Sequence, residues 1–192
     1  MKKKILLLNG ACGGATGNTA RLFDIAETFF DSTVVVKRLT IALTDPVDVY
    51  LSALRDSDAC IFGTGTYWDS WGSPLQRFFE QMTPTEGTDL WLGKPAGVVV
   101  SMHSVGGKGV LSRLQGVLNT FGMMIPPMSG FVYSVANQLA IHAEDSELAE
   151  DLWRPDDLQI ICHNLQEALR GGTSWKSWPV DRSAYDQNWV RR

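Results

Sequence analysis

Five short, mostly apolar runs, each separated from the next by a longer stretch of helical period, constrain this chain more than any other feature of it. The runs are Lys4–Asn9, Val34–Leu39, Asp58–Thr64, Ala96–Met102 and Phe131–Ala136. Strands buried on both faces read this way, and both faces are covered where helices cross over a parallel sheet. Between the runs, Asn18–Phe30 places Leu22, Phe23, Ala26, Phe29 and Phe30 on one helical stripe. Val47–Arg55 follows Asp45-Pro46 and Pro74–Met82 follows Ser73, two helix starts with proline at or near the first position. Gly109–Phe121 stops at Gly122, and Asp156–Arg170 stops at Gly171-Gly172. The alternation predicts an α/β fold: a doubly wound, five-stranded parallel sheet in a three-layer α/β/α sandwich with right-handed crossovers. Residues 1–172 read as one domain and 173–192 as a tail. In such sheets ligands sit where loops leave the carboxyl ends of the strands, so the loops after the first, third and fourth runs are where chemistry is expected.

Composition narrows the partners. The 192 residues carry 17 Lys+Arg against 21 Asp+Glu, a formal charge of -4, which lacks the basic footprint of a nucleic-acid or anionic-membrane binder. The N-terminal apolar run ends at Asn9-Gly10 after four residues, short of a signal segment, and no stretch approaches the ~20 apolar residues that cross a bilayer. Cys12, Cys60 and Cys162 are too few and too scattered for a disulfide scaffold or a four-ligand zinc site. The expectation is a cytoplasmic protein without membrane insertion.

The first loop, Gly10-Ala11-Cys12-Gly13-Gly14-Ala15-Thr16-Gly17-Asn18-Thr19, runs straight into a helix. Small residues let the backbone approach a ligand, and the free N–H groups of the helix start favour an anion, so the loop reads as a phosphate cradle. Asn18 stands where a P-loop has lysine, no G-x-G-x-x-G register fits, and the second run ends in Lys37-Arg38 rather than an acidic ribose clamp. Hydroxyls and an amide at Thr16, Asn18 and Thr19 suit a phosphate monoester. The bland alternative is a flexible loop capped by Asn18. The third-run loop, Gly63-Thr64-Gly65-Thr66-Tyr67-Trp68-Asp69-Ser70-Trp71-Gly72, holds three large aromatics in five residues, which suits either a planar ring ligand or interface packing. The fourth, Ser101-Met102-His103-Ser104-Val105-Gly106-Gly107-Lys108-Gly109, is glycine-rich and again feeds a helix.

The segments GATGNTA, GTGTYWDSWGSPLQRFFEQM, LGKPAGVVVS and GGKGVLSRLQGVLNTFGM, in this order, resemble the flavodoxin-like NAD(P)H-dependent FMN reductase and quinone reductase family. The likeness runs from about Lys3 to Ala136. It implies a flavodoxin-like fold and an FMN-dependent oxidoreductase taking hydride from NADPH or NADH and passing it by ping-pong to a quinone or similar small acceptor. It further implies that Thr16, Gly17, Asn18 and Thr19 hold the FMN phosphate, that Thr66, Tyr67, Trp68, Asp69 and Ser70 line the isoalloxazine, and that His103, Gly106 and Gly107 approach its pyrimidine end. Members are often dimers, so a homodimer or higher homo-oligomer is expected. Two departures stand out: Gly65 replaces a frequent proline, and Cys12-Gly13-Gly14 lengthens the first loop.

Imidazole is the side-chain type that exchanges a proton near neutral pH, which makes His103 the candidate acid or charge partner in the loops; His142 and His163 read as structural. The acidic group Asp145, Glu147, Glu150 and Asp151 reads as a solvated face. Two other classes stay open: a flavodoxin-type electron carrier, and a flavodoxin-like interaction protein without flavin. Of seven tryptophans, Trp68 and Trp71 are candidates for the flavin site, Trp91 and Trp153 fall on surface connections, and Trp175, Trp178 and Trp189 sit in the tail, expected to pack on the domain, a partner subunit or a flavin.

Overall fold

The computed structural model describes residues 2–142, 153–172 and 176. Its strands are β1 (Lys3–Asn9), β2 (Val34–Thr40), β3 (Ala59–Gly65), β4 (Ala96–Met102) and β5 (Gly130–Ser134). All pair in parallel, in the order β2-β1-β3-β4-β5. The helices are α1 (Asn18–Glu27), α2 (Val47–Arg55), α3 (Ser73–Met82), α4 (Gly107–Phe121), α5 (Val135–His142) and α6 (Leu158–Arg170).

Alternate strand residues feed two separate cores. Leu6 and Leu8 of β1, Cys60 and Phe62 of β3, and Val98 and Val100 of β4 pack with α2, α3 and α4 through Leu54, Phe78 and Leu114. Ile5, Leu7, Ile61 and Val99 face the other way, onto Phe23 and Ala26 of α1 and Ile161 and Leu165 of α6. This two-sided burial explains why the runs read as continuous apolar stretches rather than alternating ones. The doubly wound sandwich expected from the pattern, flavodoxin-like as the resemblance implies, is the fold observed.

Several boundaries moved. α1 stops at Glu27 instead of continuing to Phe30, and α4 starts at Gly107, two residues before the expected position. α6 begins at Leu158 after a single 3-10 turn, Pro155–Asp157. β5 ends at Ser134, and 135–136, expected in the strand, open α5 instead. The missed signal is Ser134 itself, whose Oγ accepts the Asn137 N–H at 3.2 Å as a helix-capping hydroxyl does.

Trp91 is not on the surface. It is fully buried, its ring centroid 4.7 Å from Phe121, 6.1 Å from Phe78 and 6.5 Å from Phe62, and its Nε1–H donates to Thr85 Oγ at 2.8 Å. Trp153 is half-buried, stacked on Phe131 at 5.9 Å with the Lys108 ammonium 5.1 Å from its ring. The acidic group and the three tail tryptophans lie outside the described residues. The tail is anchored at Lys176, whose backbone exchanges two hydrogen bonds with the fully buried Asn164 amide, at 2.8 and 2.9 Å. Replacing Trp91 by Ala removes the centre of the aromatic cluster and the indole donor to Thr85 Oγ, which keeps its own bond to Met82 O; unfolding stability in a denaturant titration is expected to drop by about 3–5 kcal/mol.

Candidate functional site

The strand order reverses direction between β1 and β3, and the loops that leave these two strands diverge to opposite faces of the sheet. That opens a crevice at their carboxyl ends. In the first loop the organiser is Asn9, 3% exposed at the end of β1. Its Nδ2 donates to Gly14 O at 2.9 Å and its Oδ1 accepts the Ala11 N–H at 3.1 Å, so one amide shapes the turn. The first helical bond of α1 runs from Arg21 N–H to Gly17 O at 3.2 Å. The amides of Asn18, Thr19 and Ala20 lie ahead of it, at the positive end of the helix dipole. Gly17 is the capping position and no side chain caps the helix, so Asn18 is not the cap and its amide is exposed. Thr16 is exposed beside it, whereas Thr19 is buried and its hydroxyl shares a 3.1 Å hydrogen bond with Ser101 Oγ. The side chain of Thr19 therefore ties α1 to β4, leaving its backbone amide for a ligand.

The third loop is stapled at its base by the buried Thr64, whose Oγ accepts the Gly72 N–H at 2.9 Å. Above it Tyr67 and Ser70 exchange backbone hydrogen bonds of 2.8 and 3.0 Å around Trp68 and Asp69, at φ 48° and 58°. Two left-handed central residues between such a pair form a type I′ turn, normally Asn-Gly. For a bulky residue the left-handed conformation costs roughly 1–2 kcal/mol, whereas aspartate adopts it more readily; no burial offsets the cost at Trp68, whose relative exposure is 102%. Trp71 goes inward instead, edge-on to Phe79 at 6.2 Å, with Nε1–H donating to Gln76 Oε1 at 2.9 Å. Of the two tryptophans expected at a ring ligand, only Trp68 is free to meet one.

Gly65, the departure from the family pattern, makes room for the Tyr67 ring: a Cβ there would lie 3.0 Å from Tyr67 Cε2. The ring folds back toward the first loop, where burial pushes the phenol pKa up, the Cys12 thiol adding to the effect and the Cys12 and Gly13 amides opposing it. The Thr66 hydroxyl is buried with no partner.

The loop after β4 closes the third side. Gly106, at φ 85°, is the capping residue of α4, and a Cβ on it would fall 2.2 Å from Asp69 Oδ1. Only glycine fits there, because both the backbone angle and the Asp69 carboxylate exclude a side chain. Gly107 N–H donates to the Met102 thioether at 3.2 Å. His103 is exposed, its carbonyl accepting the Ala136 N–H at 2.8 Å. Arg113, unremarked in the sequence, reaches from α4 to the Asp69 carbonyl, donates from Nε to Gly109 O at 3.3 Å, and lies 5.8 Å from the Trp71 ring.

Features outside this cluster are structural. A groove of about 520 Å³ runs between α2 and the sheet, lined by Lys4, Leu6, Lys37, Leu39, Val49 and Asp56 among others, away from the strand ends. In it the Lys37 and Lys4 ammonium groups pair with Asp56 and hold its carboxyl down at about 2. Arg38 is paired with Asp24 and Glu27, so both cations at the end of β2 are engaged. Cys60 and Cys162 are buried, as their sequence positions implied, and burial pushes both thiols up, Cys60 to about 11. His163 is half-buried on α6.

Strand order and converging loops define the flavodoxin-like class of α/β proteins. The sequence matches the family model for NADPH-dependent FMN reductase over residues 4–138, and the chain belongs to that family, whose cofactors are FMN and a nicotinamide donor. No curated protein matches it. Among solved structures it is similar to an NADH:FMN oxidoreductase in its apo form, with 18% identity, 92% of this chain and 94% of the other covered, and a TM-score of 0.64. An NADPH-quinone reductase from P. pentosaceus aligns at 21% identity, covering 87% and 96%, with a TM-score of 0.55. A flavodoxin from the domain Archaea aligns at 16%, covering 85% and 99%, with a TM-score of 0.57. At these identities the structural likeness carries the fold alone.

The residues present fit FMN. Unengaged amides at a helix start suit its phosphate, and the orphaned Thr66 hydroxyl needs a partner that a polar ring edge supplies. Trp68→Gly places a residue that adopts φ 48° without strain at the turn; the ligand-free chain is expected to gain about 0.5–1 kcal/mol in denaturant unfolding, the relieved strain less the entropy of a flexible glycine.

Proposed function

We propose that this chain is an NAD(P)H-dependent FMN oxidoreductase that delivers reducing equivalents from NADPH or NADH to a quinone or similar small acceptor, the two substrates taking turns at one site in ping-pong order. The observation that supports this reading most directly is the meeting of the three loops at the β1/β3 crevice, with an unpartnered Thr66 hydroxyl and a fully exposed indole at Trp68. FMN supplies the two-electron hydride chemistry.

The chain's own part is holding and screening. The Thr16 and Asn18 side chains and the amides of Asn18 and Thr19, with Gly17 letting the backbone approach closely, would bind the phosphate without a counter-cation. Thr66 donates or accepts at the ring edge, and Tyr67 and Ser70 set the wall of the cleft. Asp69, its carboxylate beside Gly106, holds the loops after β3 and β4 in register. The Gly106 amide, at the positive end of α4, favours negative charge gathering at the pyrimidine end, and Gly107 fixes the helix start behind it. His103, exposed at the end of β4, carries a proton to or from that edge. Trp68 offers an aromatic face over which a nicotinamide and then a planar acceptor exclude water.

The same reading places the protein in the cytoplasm as a homodimer or higher homo-oligomer, with the tail beyond Lys176 reaching a partner subunit. The three cysteines, all unpaired, are in keeping with a reducing compartment. Among the described residues no helix is long and apolar enough to cross a membrane.

Chain purified with added FMN is expected to retain it, with absorbance near ~450 nm, and to oxidise NADPH or NADH with menadione as acceptor. A flavin-loaded sample that oxidises neither nucleotide rules out the reductase and leaves the electron carrier. Asn18→Asp sets a negative charge against the phosphate, and FMN is expected to bind at least about tenfold more weakly in a fluorescence titration, about 1.4 kcal/mol. Unchanged affinity would mean that the phosphate lies elsewhere.

A further inference from the structure

The Trp68-Asp69 turn carries left-handed strain at its exposed tip and is closed by the Tyr67–Ser70 backbone pair; strain of this kind persists where surrounding contacts over-determine it. Arg113 is the side chain that reaches the turn from another element. Its guanidinium donates to the Asp69 carbonyl, is oriented by Nε donating to Gly109 O at 3.3 Å, and lies 5.8 Å from the indole of Trp71 at the foot of the same loop. Three contacts in three directions use the planar fork of arginine, and a lysine ammonium on a flexible stem cannot make them together. On the far side of the turn the Asp69 carboxylate packs against Gly106. The loop after β3 is thus held at Asp69 by both the start and the second turn of α4, which ties it to the loop after β4.

We infer that Arg113 is a positioning residue: it latches the strained turn at residues 67–70 onto α4 and so presets the opening that receives the isoalloxazine ring. The inference rests on the FMN reading above for the ring, though not for the latch. Arg113 touches neither cofactor nor reacting atoms in this role. A preset opening is one that a ligand need not reorganise on entering, so loss of the latch appears as weaker ring binding and faster release.

The ligand-free chain tests the latch. In Arg113→Ala the amides of Tyr67 and Ser70 are expected to exchange with deuterium roughly tenfold faster, with β1 and β3 amides unchanged. Arg113→Lys should restore little of this protection. In a Trp68→Gly background the same Arg113→Ala change should have a much smaller effect, because a relaxed turn needs no latch. Flavin titrations test the positioning. Arg113→Ala should weaken FMN and riboflavin by the same factor, roughly tenfold, since the ring is affected and the phosphate is not, whereas Asn18→Asp should weaken FMN alone. Unchanged exchange at residues 67 and 70 overturns the latch. Faster exchange with unchanged affinity for both flavins overturns the positioning role, and so does a loss confined to FMN. A wild-type chain that takes up no flavin sinks the functional reading and the positioning role with it, while the exchange data still decide the latch.

Discussion

Burial of every central strand on both faces is the constraint from which the rest follows. With Leu6 and Leu8 committed to one core and Ile5 and Leu7 to the other, no side chain in the middle of the sheet is available for chemistry. Function is displaced to the strand ends, and the order β2-β1-β3-β4-β5 leaves one place where neighbouring loops part. The core thereby dictates where the site is without contributing to what it does. Thr64 shows the division within one strand: it is fully buried like its neighbours, yet its hydroxyl is spent holding Gly72 so that the loop beyond β3 closes on itself.

What was legible in the sequence follows the same division. Strands and major helices could be read because period and burial are local properties, and the Gly122 and Gly171 stops are backbone requirements written in residue type. Trp91 was misread because nothing local distinguishes a tryptophan on a connection from one packed among three sequence-distant rings, Phe62, Phe78 and Phe121. The loops were legible as sites but not in detail. Thr19 looked like a phosphate ligand, and its partnership with Ser101 spans 82 residues. The same holds for Arg113 and Asp69, 44 residues apart. Asn9 is the exception that a sharper reading would find, since an asparagine at a strand end before glycine is a known turn organiser. The family resemblance rests on segments now seen to be the three loops, the helices they feed and strand β4. The family model spans them, so the class of the protein was readable where the function of individual residues was not.

The cleft walls are unequal in stiffness. The first loop is shaped by hydrogen bonds of ordinary geometry around Asn9 and by small residues; the wall beyond β3 is held in a conformation its own residues disfavour. Strain of this kind persists only where surrounding contacts over-determine it, and it gathers at ligand sites because a relaxed turn would present different groups. Here the relaxed alternative, Asn-Gly in place of Trp68-Asp69, would keep the hairpin and lose both the exposed indole and the carboxylate against Gly106.

That pairing also bears on the kind of partner the site is built for. A redox protein that docks a macromolecule benefits from a broad field of one sign around its cofactor, because the field steers encounter over many ångströms. The chain's formal charge is only -4, and cations such as Lys37 and Arg38 are tied to carboxylates. What stands at the rim is an apolar ring raised on a strained turn, a contact whose reach is a few ångströms and whose reward comes from excluding water beside another flat molecule. Selection for long-range attraction would leave its mark in charge; the mark here is in shape, which is in keeping with the small acceptor proposed above.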